Sequence, residues 1–231
     1  IGDPAVRHKG TIGGSLANND PAADYPAAVL GLGATIHTDK RAIAADDFFK
    51  GLYETALAAG EVITAVSFPV PEKAGWQKFK QPASRFCLVG VFVSKGSQGV
   101  RVAVTGAGPG VFRAKALEAK LAASWTGASC DGVKIDGTNL NSDLHGSAEY
   151  RAHLIGVALD CERGREFASD LLHHLATHGL LPAHDRLGRR AQIPDCAGPG
   201  ERLEDVVGHV DLPPLEALTR RALIVVVVVV P

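Results

Sequence analysis

A chain of 231 residues, 46% of them apolar and 21% charged, can fill the core of one large domain or two small ones, which excludes an intrinsically disordered chain. The 24 Lys and Arg against 25 Asp and Glu are interspersed and leave a formal net charge of −1, so no field recruits nucleic acid or an anionic membrane. The four cysteines, Cys87, Cys130, Cys161 and Cys196, lie far apart without a Cys-x-x-Cys pair, which argues against a zinc or iron–sulfur site held by this chain.

The first twenty or so residues are polar and Gly-rich, unlike a signal peptide. The apolar run Ala222–Val230 falls short of the roughly 20 residues that a spanning helix needs. The expectation is a cytoplasmic protein with reduced thiols. Methionine is absent, so Ile1 reads as the start of a fragment.

In chain order, "RHKGTIGGSLANNDPAADYPAA" (Arg7 to Ala28) is the first polar, Gly-containing stretch. Asp24 to Leu32 reads as a short helix with Pro26 in its first turn and "GLG" at its end. "ATIHT" alternates as a strand, "AADDFFKGLYETAL" carries apolar residues at helical spacing, and "EVITAVSFPVP" is a strand closed by prolines. "WQKFKQ", "FCLVGVFVSK" and "VRVAVTGAG", the last two joined by a "GSQG" turn, predict an antiparallel meander. "FRAKALEAKLAASW" and "SAEYRAHLIGVAL" are amphipathic helices. The class is α+β: an α/β first part, a boundary near Pro69 to Gly75, then an antiparallel sheet with helices.

Beyond about Asp160 the composition changes. Every Lys, Asn, Tyr and Trp precedes that residue, whereas more than half of the arginines and histidines follow it. The segment 161–231 therefore reads as an atypical tail, either frameshifted or disordered or a divergent extension. Its six-valine run is an aggregation hazard where exposed.

Several stretches carry candidate chemistry. Gly13 and Gly14 lack a Cβ and would let a phosphate approach the backbone, while Thr11 and Ser15 add hydroxyl donors and Asp24 an acceptor for a sugar or ribityl hydroxyl. The alternative is a tight turn in which Asp24 caps the following helix. "TGAGPG" (Thr105 to Gly110) between a strand and a helix has the layout of a dinucleotide turn, but Val111 replaces the third small residue. "GGSLA" resembles a serine nucleophile elbow whose last Gly is Ala17. His174 and His178 lie one helical turn apart without a Glu-containing metalloprotease pattern, and His8, His145 and His153 are isolated.

Taken together, "GTIGGSLANNDPAADYPAAVLGLGATI", "ADDFFKGLYETAL", "GEVITAVSFPVP", "KFKQPASRFCLVGVFV", "VRVAVTGAGPGVFR" and "LNSDLHGSAEYRAHLIGV" resemble, in order, the FAD-binding medium subunit of the molybdenum hydroxylases. The resemblance covers about residues 1–157 and is nearest to the aerobic carbon monoxide dehydrogenase group. It implies the C-terminal part of a vanillyl-alcohol-oxidase (PCMH) type FAD domain over residues 1–72. A flavoprotein C-terminal domain with an antiparallel sheet and helices follows over 73–160, with no family counterpart for 161–231.

It also implies an oxidoreductase subunit whose FAD takes electrons from a [2Fe–2S] small subunit, beside a molybdenum-cofactor large subunit, in a dimer of heterotrimers; peripheral membrane association stays open. By the same resemblance, Thr11, Ile12, Gly13, Gly14 and Ser15 contact the FAD pyrophosphate and ribityl groups, and Asp24 is the FAD-binding acid. Ile63 sits by the flavin with Lys80 near it, a cation that would favour the anionic reduced form. A first FAD loop is expected upstream of Ile1, so weak or no FAD binding is expected of this chain alone. A free-standing nucleotide-binding module built on "TGAGPG", or a non-functional fragment, are the other readings.

Overall fold

The computed structural model describes residues 1–160 and 222–226; His174, His178 and most of the arginine-rich tail lie outside the described residues. Short helices come first: α1 (Pro4–Lys9), α2 (Ile12–Asn18) and α3 (Tyr25–Leu32). Next are β1 (Thr35–Thr38), β2 (Ala42–Ala44), α4 (Ala45–Phe48), the hairpin β3 (Phe49–Gly51) and β4 (Glu54–Thr55), and β5 (Ile63–Pro69). The second part holds β6 (Lys73–Lys80), β7 (Cys87–Gly96), β8 (Gly99–Thr105), β9 (Phe112–Arg113), α5 (Lys115–Ala123), a 3₁₀ turn at Gly127–Cys130 and α6 (Ala148–Asp160). Of the tail, Ala222–Val226 form β10.

Among the described residues two four-stranded antiparallel sheets form, besides the two-stranded β3–β4 hairpin. The first has the order β10-β5-β1-β2, and β10 pairs with β5 from Ala222 opposite Pro69 to Val226 opposite Ala65. The second is the predicted meander, β6-β7-β8-β9. Its middle strand β7 is buried at every position from Cys87 to Ser94, so both of its faces must be covered. The pleat sorts the residues. Val91, Val93, Val102 and Val104 face a core with Leu117 and Leu121 of α5 and Ile155 and Leu159 of α6. Phe92 and Ala74 point the other way, onto Ala27 and Leu32 of α3.

Helix α3 is sandwiched between the sheets. It is apolar nearly all round, as a fully covered helix must be; Val29 and Leu30 pack with Ile36, Ile63 and Val66 of the first sheet. Gly31 is required where the helix meets Phe92, because a methyl group there would collide with the ring. The second sheet also satisfies α3's terminal carbonyls. Arg101, 5% exposed, donates from Nε and Nη2 to the Leu30 carbonyl at 3.0 and 2.8 Å, and Ser94 Oγ donates to the Gly31 carbonyl at 2.7 Å. The same Nη2 reaches Asp46 Oδ2 of α4 at 2.7 Å, and Arg113 holds Asp46 Oδ1. Burial alone would raise the Asp46 pKa, but the two guanidinium groups outweigh it and hold the carboxyl below its ordinary value.

Two expectations change. The segment from Ala44 to Leu57 is helical only over Ala45–Phe48 and then becomes the β3–β4 hairpin. Successive Phe48 and Phe49 rings meet edge to face at 5.1 Å, a spacing that one helix face cannot provide. Asn19 Nδ2 pins the turn by donating to the Gly51 and Glu54 carbonyls, 2.8 Å each, and Tyr53 takes a left-handed backbone at φ 54°. The helix expected from Phe112 begins only at Lys115, because Phe112 and Arg113 pair with Val104 and Ala103 as β9.

Glu61 closes the other end of the first sheet. Its carboxylate accepts from Arg41 Nε and Nη2, Ala58 N–H and Thr38 Oγ1 at 2.7–3.1 Å. Arg41 first, then the Ala58 amide and the Thr38 hydroxyl, lower its pKa from 4.5 to about 2. Because the folded-state value is depressed, the stabilisation is complete above the unfolded-state value and is lost as pH falls from about 4.5 through about 2. Glu61→Gln is expected to flatten the stability curve in that window in urea titrations; an unchanged slope would refute the assignment. Arg101→Met leaves the Leu30 carbonyl short of its charged donor inside the protein and should destabilise by about 2–3 kcal/mol, measured by chemical unfolding.

Candidate functional site: a cavity between the second helix and the sixth strand

Thr11 determines the local structure at the Gly-Gly stretch. Its backbone is extended and its Oγ1 accepts from Gly14 N–H at 3.0 Å, so it is an N-cap, and Ile12–Asn18 wind into α2 rather than an open loop. Asn19, left-handed at φ 46°, ends the helix. The chain then crosses the end of β8, which fixes it. Gly106 N–H donates to the Pro21 carbonyl at 2.7 Å, and the Thr105 hydroxyl lies 3.1 and 2.7 Å from the Pro21 and Ala23 carbonyls.

This places Asp24 at the start of α3. It does not cap the helix: its backbone is already helical and its side chain makes no cap bond. Its Oδ2 instead takes Lys78 Nζ at 2.8 Å, with the Ile1 amino group at 3.3 Å. Among the described residues its Oδ1 is buried without a hydrogen-bond partner. The two side chains are only 15% and 9% exposed, so the ion pair is largely desolvated.

Strand parity explains why Lys78 arrives there. In the register Trp76 opposes Phe92 and Lys78 opposes Gly90, so both share the face turned to α3, and Gly90 adds no side chain across from the lysine. Lys80, two residues on, lies past a bulge between Phe79 and Lys80 and is exposed at the strand end. Under the site lies Cys87, whose pKa is pushed up by burial and then by the Asp24 charge, so it stays a thiol.

A cavity of about 520 Å³ opens at this point, its lining including Thr11, Gly14, Ser15, Asn18, Asp24 and Lys78, with Phe86 beside them. That volume is in the range of small-ligand pockets. Of the predicted residues, Thr11, Gly14, Ser15 and Asp24 line it. Ile12, Gly13, Ile63 and Lys80 do not. Gly13 is buried in α2, Ile12 packs against the first core, and Ile63, 3% exposed, lies among Ile36, Phe48 and Val66. Lys78 lines the cavity and Lys80 does not; the "KFK" alternation puts both on one face, and only the bulge tells them apart.

The competing motifs find other uses. The turn after β8 is tied up internally: Arg151 Nη1 donates to the Gly106 carbonyl, and Asn141 N–H and Nδ2 donate to the Ala107 and Gly108 carbonyls. Ser15 follows a helix and a capped turn rather than the strand a nucleophile elbow needs. Among the described residues no helix is long and apolar enough to cross a membrane, and no cluster of His, Cys, Asp and Glu could hold a metal.

Residues 1–71 match the family described as the FAD binding domain in molybdopterin dehydrogenase. Over most of its described length the chain is similar to FAD-binding medium subunits of the molybdenum hydroxylases. It is 36% identical over 171 residues to the nicotine 6-hydroxylase medium subunit of Paenarthrobacter nicotinovorans, covering 67% of this chain and 60% of that one. The carbon monoxide dehydrogenase medium chain of Afipia carboxidovorans is 31% identical over 69% of this chain and 61% of its own. A solved chain of reconstituted carbon monoxide dehydrogenase from Oligotropha carboxidovorans superposes with a TM-score of 0.61 at 30% identity, over 73% of this chain and 65% of that chain. The chain thus spans about 60% of the length of the relatives it matches. The family is one of oxidoreductase subunits, and its α+β fold with an FAD-binding first part is the fold described above.

Replacing the Thr11 cap is expected to loosen α2. Thr11→Val should cost about 1 kcal/mol and Thr11→Ser much less, read from thermal unfolding.

Proposed function

We propose that this chain is the FAD-binding, electron-relaying subunit of a molybdenum hydroxylase complex. The observation that carries the reading is Asp24: a buried carboxylate oxygen without a hydrogen-bond partner among the described residues, in a residue lining a cavity of about 520 Å³, inside a segment that matches an FAD-binding family. A buried acceptor left alone is costly, and a ligand hydroxyl would satisfy it. The residues present fit the group: Thr11 and Ser15 offer hydroxyls to phosphate oxygens, Asp24 an acceptor to a polyol hydroxyl, and Lys78 a cation inside a partly apolar wall.

When bound, FAD supplies reversible electron acceptance and release. The chain's part is to hold and orient: the Pro21 and Ala23 carbonyls, bonded to the end of β8, fix the backbone before Asp24, and Phe86 helps to shield the cavity from water. No acid–base residue for a substrate is required of this chain. In the proposed assembly, in the cytoplasm, a molybdenum-cofactor large subunit oxidises the substrate and a [2Fe–2S] small subunit delivers the electrons. The complex is a dimer of such heterotrimers, and an external acceptor takes the electrons from the flavin.

The substrate does not follow from this chain. Its relatives at 36% and 31% identity are named for nicotine and for carbon monoxide, a heterocyclic amine and a diatomic gas. Titrating the purified chain with FAD, followed by flavin fluorescence, is expected to give micromolar binding, weakened about tenfold by Asp24→Ala. Binding of NAD as tight as that of FAD would overturn the reading.

A further inference from the structure

We infer that Lys78 is a positioning residue: it holds one oxygen of the Asp24 carboxylate so that the other remains free to accept a hydrogen bond from a hydroxyl group of the bound nucleotide. The inference rests on the FAD-binding reading above and deepens it.

The geometry is specific. Lys78 Nζ donates to Asp24 Oδ2 at 2.8 Å, and among the described residues Asp24 is its only hydrogen-bond partner. The lysine reaches the acid across 54 residues, from the second sheet to the start of α3. Burying a lysine side chain to 9% exposure is costly unless its partner geometry is good, and a carboxylate with one satisfied and one unsatisfied oxygen is an incomplete pair. The acid is fixed from its backbone side as well, since Thr105 and Gly106 hold the residues just before it.

The lysine meets Oδ2 of the carboxylate and not Oδ1. The free oxygen therefore needs a donor from elsewhere. Among the cavity's hydroxyl-bearing side chains, Thr11 is already engaged with Gly14 N–H as an acceptor, and neither Thr11 nor Ser15 is bonded to Asp24. The ligand supplies such donors in two places, the ribityl chain and the adenosine ribose, and the chemistry at Asp24 is the same for both. Lys78 acts through Asp24 and is not required to touch the ligand.

The test is a double-mutant cycle on the full chain, with Lys78→Met, Asp24→Asn, the pair together, and Lys78→Arg as the conservative rescue. FAD and ADP are titrated against each by calorimetry, and thermal unfolding is followed in parallel. Lys78→Met and Asp24→Asn are each expected to weaken FAD binding by about tenfold, and the double variant to be no weaker than Asp24→Asn alone. Lys78→Arg, which keeps a cation within reach of Oδ2, should restore most of the affinity.

Loss of ADP affinity in step with FAD places the hydroxyl on the adenosine ribose; loss confined to FAD places it on the ribityl chain. Additive losses in the double variant, or Lys78→Met binding FAD like the parent while Asp24→Asn does not, would overturn the role of Lys78 and leave the FAD reading standing. If Lys78→Met melts early, Lys78→Arg decides: a stable protein with the affinity still lost overturns the proposal. If the parent binds NAD as tightly as FAD, the functional reading itself fails, and the inference with it.

Discussion

Helix α3 is apolar on almost every side, and so it can exist only with a sheet on each face. This is the constraint from which the rest of the architecture follows. The first sheet covers Val29 and Leu30, and the second covers Ala27 and Leu32, with Gly31 admitting the Phe92 ring. A helix buried in this way also buries its terminal carbonyls, which water can no longer satisfy. The second sheet supplies donors at that end, from Arg101 and Ser94, and at the other end it holds the chain entering the helix through Thr105 and Gly106.

The cavity is a by-product of the same arrangement. The chain must pass from α2, over the end of β8, into α3, and the acid at the helix start has no role as a cap. Asp24 is therefore available for something else, and the face of β6 turned to α3 brings Lys78 to it. Arg101 with Asp46, and Arg151 with Asp143, use a similar pattern: a buried guanidinium joins backbone carbonyls of one element to a carboxylate on another. In those cases every oxygen that is named has a donor. At Asp24 one has none among the described residues, and this sets the pair apart from the other two.

Much of the fold was legible. The apolar runs in "FCLVGVFVSK" and "VRVAVTGAG", joined by a "GSQG" turn, gave the meander, and the helical spacing in "SAEYRAHLIGVAL" gave α6, because these are local properties of the sequence. The hairpin β3–β4 was not legible: "AADDFFKGLYETAL" does carry helical spacing, and it is the distant Asn19 side chain that fixes the turn instead. The site was half legible. Thr11, Gly14, Ser15 and Asp24 are polar or small residues close together in sequence, whereas Ile63 turned inward to the core and the lysine that lines the cavity is Lys78 rather than Lys80.

What the sequence by itself determined, then, is the kind of elements, their order, and the family to which residues 1–71 belong, since these depend on periodicity and on short contiguous motifs. Which lysine meets Asp24, and that one oxygen of Asp24 is left without a donor, was decided only by tertiary structure. The reason is geometric: strand register and a single bulge set which side chain of β6 reaches a helix start 54 residues away, and neither leaves a local mark in the chain.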